Sequence, residues 1–141
     1  LFTKLHERFE DLRTFYFHNT IYETIWSDYR RIHPYPTEQL LLRRPDTRLV
    51  ILGDASMAPE ELEYPGGAIY RYDGREVPPS THWLKRLSDR FSHACWLNPI
   101  PRDQWENAYG DYTIRRIREF FHMEELTLGG IKGMVEHLSE K

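Results

Sequence analysis

Three oxygen-bearing side chains, Thr37, Asp54 and Ser56, fall on predicted loops where they could share a metal ion. Asp54 follows the apolar run 49–52, which is short and β-branched at two positions. Such a run indicates a strand that is buried on both faces of a parallel sheet. Gly53 follows the strand and gives the backbone more conformational freedom. Asp54 would therefore lie at the carboxyl end of the strand, where open α/β sheets bind ligands. A carboxylate at that edge serves as a metal ligand, as a catalytic acid or nucleophile, or as a helix cap.

These groups suit a hard divalent cation such as Mg²⁺, which takes about six oxygen ligands and keeps several waters. One carboxylate and two hydroxyls supply only part of such a shell. Each side chain also has a structural interpretation. Thr37 is a good N-cap for a short helix at 38–43, Asp54 is suited to a cap or a turn, and Ser56 is suited to a hydrogen bond within a loop.

Other polar groups favour structural roles. His93 and Cys95 are two apart on a predicted strand and share a face. Zinc needs three or four ligands and no second pair supplies them, so we expect a buried, structural Cys95. Asn98 follows the predicted strand 94–97, where a turn is the ordinary interpretation. The sequence contains neither a glycine-rich phosphate loop nor a serine nucleophile elbow.

The composition is that of an ordinary globular chain. Its 141 residues suffice for one domain with a core, and 40% of them are hydrophobic and 29% charged. The net charge of −3 gives no indication of nucleic-acid binding. One cysteine excludes an intrachain disulfide and is typical of a reducing compartment such as the cytoplasm. The longest apolar runs are about strand length, so we expect no membrane span.

Helices and strands alternate along the chain, which predicts a three-layer α/β sandwich. Residues 14–18 and 21–26 are β-rich and predict a hairpin, with a short helix at 21–30 as the alternative. The remaining predicted elements are a helix at 1–11, a basic proline-bearing loop at 27–36, a helix at 38–43, a strand at 47–53, a helix at 58–63, a long loop at 64–79, a helix capped by Ser80, a strand at 94–97, and helices at 112–121 and 127–138.

The first residues have the pattern of an amphipathic helix without a capping residue. Their apolar side chains recur at helical spacing, and residue 1 is not methionine; the positions are Leu1, Phe2, Leu5, Phe9 and Leu12. We therefore expect that residues are missing upstream and that residues 1–141 are a fragment of a longer protein.

Several segments in combination resemble the CoxE-like von Willebrand factor A (VWA) proteins. The resemblance extends over nearly all of the chain and is most specific in the Gly-Asp-Ala-Ser-Met and Trp-Leu-Asn-Pro segments. The matching segments are Phe15-Tyr16-Phe17-His18-Asn19, Pro36-Thr37, Leu52-Gly53-Asp54-Ala55-Ser56-Met57-Ala58-Pro59-Glu60, Leu62, Tyr64-Pro65-Gly66-Gly67, Trp83-Leu84, Trp96-Leu97-Asn98-Pro99, Thr113-Ile114-Arg115, Met123 and Leu126-Thr127-Leu128.

VWA domains bind a cation at a metal-ion-dependent adhesion site (MIDAS) formed by three loops. The resemblance implies that Thr37 is the second-loop threonine and Asp54 the third-loop aspartate. The first-loop motif, Asp-x-Ser-x-Ser, does not occur in this sequence. In the family it precedes the helix in which this chain begins. We therefore expect one partial VWA domain over 1–141, a Rossmann-like α/β/α sandwich with a mostly parallel sheet that lacks its opening strand, and an incomplete Mg²⁺ site.

The resemblance implies a protein-interaction module and not an enzyme. The ion in such a site keeps one position open, and a partner's acidic side chain fills it. CoxE-like proteins are associated with MoxR-type AAA+ ATPases, and some assist maturation of molybdenum-containing carbon monoxide dehydrogenase. The implied role is therefore a co-chaperone or assembly factor that acts with such an ATPase on a metalloenzyme client. The loop 64–79 is a candidate contact surface.

Two alternatives remain open on the sequence. A metal-dependent phosphotransferase or hydrolase would use Asp54, with further carboxylates around the metal and a base to activate water. Glu60, Glu61 and Glu63 do not clearly supply them, because their pattern is that of an exposed helical cluster. In the other alternative the chain is a structural α/β scaffold in which Thr37 and Asp54 only cap helices.

Overall fold

The structure is a computed structural model that describes residues 12–67, 77–107 and 109–140. The predicted helix 1–11 and residues 68–76 of the predicted loop lie outside this part. Two 3₁₀ helices, Pro65–Gly67 and Arg102–Gln104, accompany the main elements. These are, in chain order, β1 (Thr24–Trp26), β2 (Pro34–Pro36), α1 (Thr37–Leu40), β3 (Arg48–Leu52), α2 (Pro59–Glu63), α3 (Ser80–Arg90), β4 (His93–Asn98), α4 (Asp111–Arg118), β5 (His122–Glu125) and α5 (Leu128–Leu138).

A three-stranded parallel sheet organises the α/β fold. Its order is β3-β4-β5, with Leu52 opposite Leu97 and Trp96 opposite Met123. Helices cover both of its faces: α3 and α4 pack on the face that carries Trp96, and α5 packs on the face that carries Leu97. The predicted α/β class is therefore confirmed, because parallel strands need crossover connections and helices supply them here.

The larger core lies on the face that α3 and α4 cover. Trp96 is fully buried there, with ring centroids 6.2 Å from Phe17 and 6.1 Å from Phe121. Leu84 and Leu87 of α3 are also fully buried, as their helical spacing predicts. This core fixes the position of β4 relative to the helices, and β4 in turn positions the loop after β3.

The strand β3 is not buried on both faces, so that prediction is wrong. Ile51 is 4% exposed, whereas Val50 and Leu52 on the opposite face are 41% and 39% exposed. Helix α5 packs on β4 and β5 and covers the neighbouring Leu97, but it leaves the β3 side chains open. Within the described part of the chain, no strand pairs with the other edge of β3.

The predicted hairpin is confirmed only as one isolated antiparallel bridge between its two arms. Residues 14–18 form no strand; Tyr16 makes one isolated bridge to Trp26, and 21–26 contributes only the short β1. The true partner of β1 is β2, which lies in the predicted loop 27–36. Proline cannot donate a hydrogen bond to a neighbouring strand, so Pro34 and Pro36 made a strand unexpected at this position. An edge strand nevertheless tolerates proline.

Two helix starts differ in how they are capped. Thr127 caps α5, because its hydroxyl accepts a hydrogen bond from the Gly130 amide at 3.0 Å. Ser80 is not a cap: α3 has Pro79 at that position, and the Ser80 hydroxyl donates to the Ile21 carbonyl at 2.6 Å. Among the described helices, none is both long and apolar enough to cross a membrane.

Cys95 lies in the smaller core under α5, as the sequence predicted for a structural cysteine. Burial raises the pKa of its thiol from 9.0 to about 12, and the Glu124 carboxylate adds to the rise. The native state keeps the thiol proton at pH values where the unfolded chain loses it. The free energy of unfolding should therefore fall as the pH rises from about 9 towards 12.

We expect the free energy of unfolding to be lower by about 1 kcal/mol at about pH 9.5 than at about pH 7.5. Urea unfolding of the wild type and of Cys95→Ala at both pH values measures this. The variant has no titrating thiol, so its loss should be smaller by that amount. Equal pH dependence in the two proteins would show that Cys95 does not titrate differently in the folded state.

Candidate functional site

The loop 53–57 follows β3 and places Asp54 at the carboxyl end of the parallel sheet, exposed to solvent. Oδ1 of Asp54 accepts a hydrogen bond from the Ser56 amide at 3.0 Å, which closes a turn. Between them, Ala55 is fully buried and has a φ of 57°. A left-handed alanine is uncommon and persists only where its surroundings hold it.

The neighbouring strand β4 holds the first half of this loop. Trp96 donates from Nε1 to the Gly53 carbonyl at 2.8 Å, and Asn98 donates from Nδ2 to the Asp54 carbonyl at 2.9 Å. Asn98 is fully buried, and its Oδ1 accepts from the Ile100 amide at 2.9 Å. The sequence interpretation gave Asn98 only a turn, whereas its side chain joins the loops that follow two adjacent strands.

The start of α4 holds the second half. The Thr113 hydroxyl accepts from the Met57 amide at 3.1 Å and donates to the Ala55 carbonyl at 2.7 Å. The Gly110 amide donates to Oγ of Ser56 at 2.9 Å, and a Cβ on Gly110 would lie 2.4 Å from the Ser56 Cα. The sequence interpretation gave neither residue a role, although Thr113 lies in one of the segments that carry the family resemblance.

Of the predicted site residues, Asp54 and Ser56 share one turn, in which the Asp54 carboxylate accepts from the Ser56 amide while the Ser56 hydroxyl accepts from the Gly110 amide. Oδ2 of Asp54 receives no hydrogen bond from any described residue, and Ser56 is half-buried with its hydroxyl oxygen beside Gly110. One carboxylate and one hydroxyl are oxygen donors of the kind that Mg²⁺ prefers. Residues 12–67, 77–107 and 109–140 contain no cluster of three or more His, Cys, Asp or Glu side chains that could hold a metal.

Thr37 lies outside the Asp54 loop and is not among the residues that hydrogen-bond to it. It is fully buried, its hydroxyl donates to the Tyr22 carbonyl at 2.5 Å, and its amide donates to the Glu23 carbonyl at 3.0 Å. It does not cap α1, which has Pro36 at that position, so the capping interpretation is wrong. Its link to the Asp54 loop is indirect: the Tyr22 hydroxyl donates to the Glu61 carbonyl of α2, the helix that follows this loop.

The acidic residues of α2 are half-buried and not an exposed cluster, which corrects the sequence interpretation; they are Glu60, Glu61 and Glu63. Glu61 accepts from the Asn19 amide group at 3.1 Å. Glu63 accepts from Arg116 Nε at 2.8 Å and from the Tyr112 hydroxyl at 3.2 Å. Glu61 and Glu63 thus tie α2 to neighbouring segments.

Comparison with known proteins adds no family: no family model matches the chain, and neither a curated protein nor a solved structure matches it.

Proposed function

We propose that this chain is part of a metal-dependent protein-interaction module of the VWA type. In this module the Asp54 loop presents Mg²⁺ to an acidic side chain of a partner protein. The observation that carries the proposal is the exposed carboxylate of Asp54 at the carboxyl end of β3, on a loop that buried side chains of β4 and α4 hold in place. Ligand sites of open α/β sheets lie at this edge.

The rigidity of the loop favours a role in ligand binding over the role of a purely structural turn. Hydrogen bonds from other elements and from its own aspartate constrain these few residues, and most of them use the buried side chains of Trp96, Asn98 and Thr113. A binding group held before its ligand arrives loses less conformational entropy on binding. Only Oδ1 of Asp54 takes part in the turn; Oδ2 accepts no hydrogen bond from the described residues.

The charge of the donor set favours an acidic partner. Asp54 and Ser56 would hold the ion, with Thr37 as the predicted third ligand from the second MIDAS loop. One carboxylate and neutral hydroxyls leave Mg²⁺ with net positive charge and with water-filled positions that a partner carboxylate can take. Because the sequence contains no Asp-x-Ser-x-Ser motif, we expect weak metal binding by this chain alone.

The sheet is compatible with a VWA sandwich, since its strands are parallel and helices cover both faces. A VWA domain would carry a further strand beside β3, on the edge where the described residues supply none. The narrower role, a cytoplasmic co-chaperone or assembly factor that acts with a MoxR-type AAA+ ATPase on a metalloenzyme client, is proposed from the sequence resemblance.

Replacing Asp54 by asparagine should strongly weaken the response to Mg²⁺ and leave the fold intact. Asparagine retains an Oδ1 acceptor for the Ser56 amide, so the turn persists while the charge that attracts the cation is removed. We expect Mg²⁺ titration followed by amide NMR shifts to perturb residues 54–56 in the wild type, and affinity to fall at least about tenfold in Asp54→Asn.

Asp89→Asn is the matched control, because Asp89 is an exposed carboxylate on α3 that pairs only with Lys85 among the described residues. Its Mg²⁺ response should equal that of the wild type. The same variants test the interaction itself: capture of a MoxR-type ATPase should require Mg²⁺, fail in EDTA and fail with Asp54→Asn. Identical Mg²⁺ responses in all three proteins would rule out Asp54 as a metal ligand.

A further inference from the structure

An apolar groove lies between α5 and β3, on the face of the sheet that carries Leu97. Helix α5 rests on the other two strands of this sheet. Gly130 lies directly against the Glu125 backbone of β5, and the His137 ring stacks on the His122 ring with centroids 4.2 Å apart. Because β4 lies between β3 and β5, the opposite flank of α5 faces the uncovered side chains of β3.

Apolar side chains line this α5–β3 groove on both sides. A helix advances about 100° per residue, which places four apolar residues of α5 on the flank that faces β3. The lining residues are Leu128, Ile131, Val135 and Leu138 from α5, and Val50 and Leu52 from β3. Leu128 and Val135 are 90% and 47% exposed, and both β3 residues are uncovered as well. Contiguous exposed apolar surface of this kind marks a docking site.

The sequence contains a segment whose apolar surface matches the groove. Residues 1–11 lie outside the described part, and their pattern predicts an amphipathic helix. Around such a helix the apolar residues form one stripe about 100° wide; they are Leu1, Phe2, Leu5, Phe9 and Leu12. A helix of this length is about 17 Å long. The five residues of β3 span about 17 Å as well, and α5 has 11 residues.

The path of the described chain leads this segment towards the groove. The Phe17 ring lies at the carboxyl end of β3, where a Cβ on Gly53 would be 3.4 Å away. Phe15 lies 6.0 Å below the guanidinium carbon of Arg43, shortly before β3 begins. Traced backwards, the chain therefore runs to the amino end of β3. The last residues of α5 lie at the same end, since Arg48 Nε donates to the Leu138 carbonyl at 3.1 Å.

We infer that residues 1–11 form a helix that packs its apolar stripe into the α5–β3 groove. The chain reaches this face by passing round the edge of β3, which pairs with no strand in the described part. The helix runs beside α5 in the same direction, and its charged side faces solvent. Burial of the apolar side chains on both sides stabilises the packing. The groove is then filled by the chain itself and is not a surface for a partner protein.

A disulfide between the segment and the groove tests this packing, in a Cys95→Ala background that removes the single native thiol. Because the two helices run in the same direction, Phe9 should lie beside Val135. Oxidation of Phe9→Cys/Val135→Cys should therefore give a disulfide within one chain, which intact mass and a non-reducing gel identify. The matched control Glu7→Cys/Val135→Cys has its thiol on the polar side of the segment. It should form the disulfide at least about tenfold more slowly.

Three outcomes of the oxidation would overturn the proposal. Disulfide-linked dimers in place of the intrachain disulfide would show that a second copy fills the groove. Equal rates for the two cysteine pairs would show that the apolar stripe does not direct the packing. The absence of a disulfide in both pairs would show that the segment does not reach the groove.

Alkylation gives a second measurement in the same Cys95→Ala background. Val135→Cys should react with iodoacetamide at least about tenfold more slowly than Glu136→Cys, which lies on the solvent side of α5. Phe9→Asp should raise the Val135→Cys rate, whereas Thr3→Asp, on the polar side of the segment, should leave it slow. Equal rates for Val135→Cys and Glu136→Cys without a further substitution would contradict the proposal. Both experiments contain EDTA and no Mg²⁺, so their results do not depend on the proposed metal site.

Discussion

Replacing Gly130 by alanine is expected to destabilise the chain by more than about 3 kcal/mol, because the new methyl group has no space. A Cβ at this position would lie 1.8 Å from the Glu125 carbonyl oxygen and 2.7 Å from the Glu125 carbonyl carbon. Both atoms belong to the backbone at the end of β5, so no side-chain rotation relieves the clash. The start of α5 would have to move away from the sheet.

Gly129→Ala is the matched control and should have the opposite effect. A Cβ there meets only the Thr127 hydroxyl oxygen at 4.0 Å, and alanine favours the helix over glycine by about 0.5–1 kcal/mol. Urea unfolding followed by circular dichroism measures both variants. A similar stability for Gly129→Ala and Gly130→Ala would contradict the close approach of α5 to β5.

The displacement of α5 should also be visible at Cys95. This helix covers Cys95 and Leu97, and both are at most 2% exposed in the wild type. Alkylation by iodoacetamide under native conditions should therefore be slow in the wild type and in Gly129→Ala, and faster in Gly130→Ala.

Replacing Thr113 by valine is expected to destabilise the chain by about 2–4 kcal/mol, although the two side chains have nearly the same shape. The fully buried Thr113 hydroxyl accepts from the Met57 amide and donates to the Ala55 carbonyl. Valine would leave both backbone groups without this partner inside the protein, and each buried polar group without a partner costs about 1–3 kcal/mol.

Thr113→Ser is the control, since it retains the hydroxyl and loses one methyl group, at a cost of about 1 kcal/mol. Equilibrium unfolding compares the stabilities, and hydrogen exchange of the Met57 amide reports the lost hydrogen bond directly. Exchange should accelerate in Thr113→Val and change little in Thr113→Ser. Equal exchange rates in the two variants would show that this hydroxyl does not hold the loop.

The loss of this contact should reach the proposed metal site. Thr113 does not belong to the proposed ligand set, but it fixes Ala55 between Asp54 and Ser56. We expect Thr113→Val to weaken Mg²⁺ binding at a temperature where the chain is still folded, and Thr113→Ser to preserve it.

Local sequence patterns were sufficient to predict the helices and strands whose apolar residues recur at a regular spacing. The apolar spacing of α3 and α4 and the apolar run of β4 predicted these elements to within a few residues. The predicted strand before Gly53 placed Asp54 at a strand end, and the structure confirms that it follows β3 at the carboxyl edge of a parallel sheet. Periodicity works here because each element's buried face is encoded within its own residues.

Where an element depends on a distant partner, sequence reasoning failed. The strand β5 has the polar sequence His-Met-Glu-Glu, and only its pairing with β4 makes it a strand. The strand β2 contains two prolines, and only its pairing with β1 makes it a strand. The exposure of Val50 and Leu52 likewise depends on where α5 ends on the sheet.

The residue types and their order thus determined the α/β class and the position of Asp54 at the end of a strand. The tertiary structure alone decided which side chains hold that loop and which strands border it. The buried side chains of Asn98 and Thr113 form hydrogen bonds to residues 44 and 58 positions away, respectively, and no local sequence pattern predicts contacts over such separations. Buried polar groups must find partners wherever the fold brings them, so these contacts are properties of the packed chain.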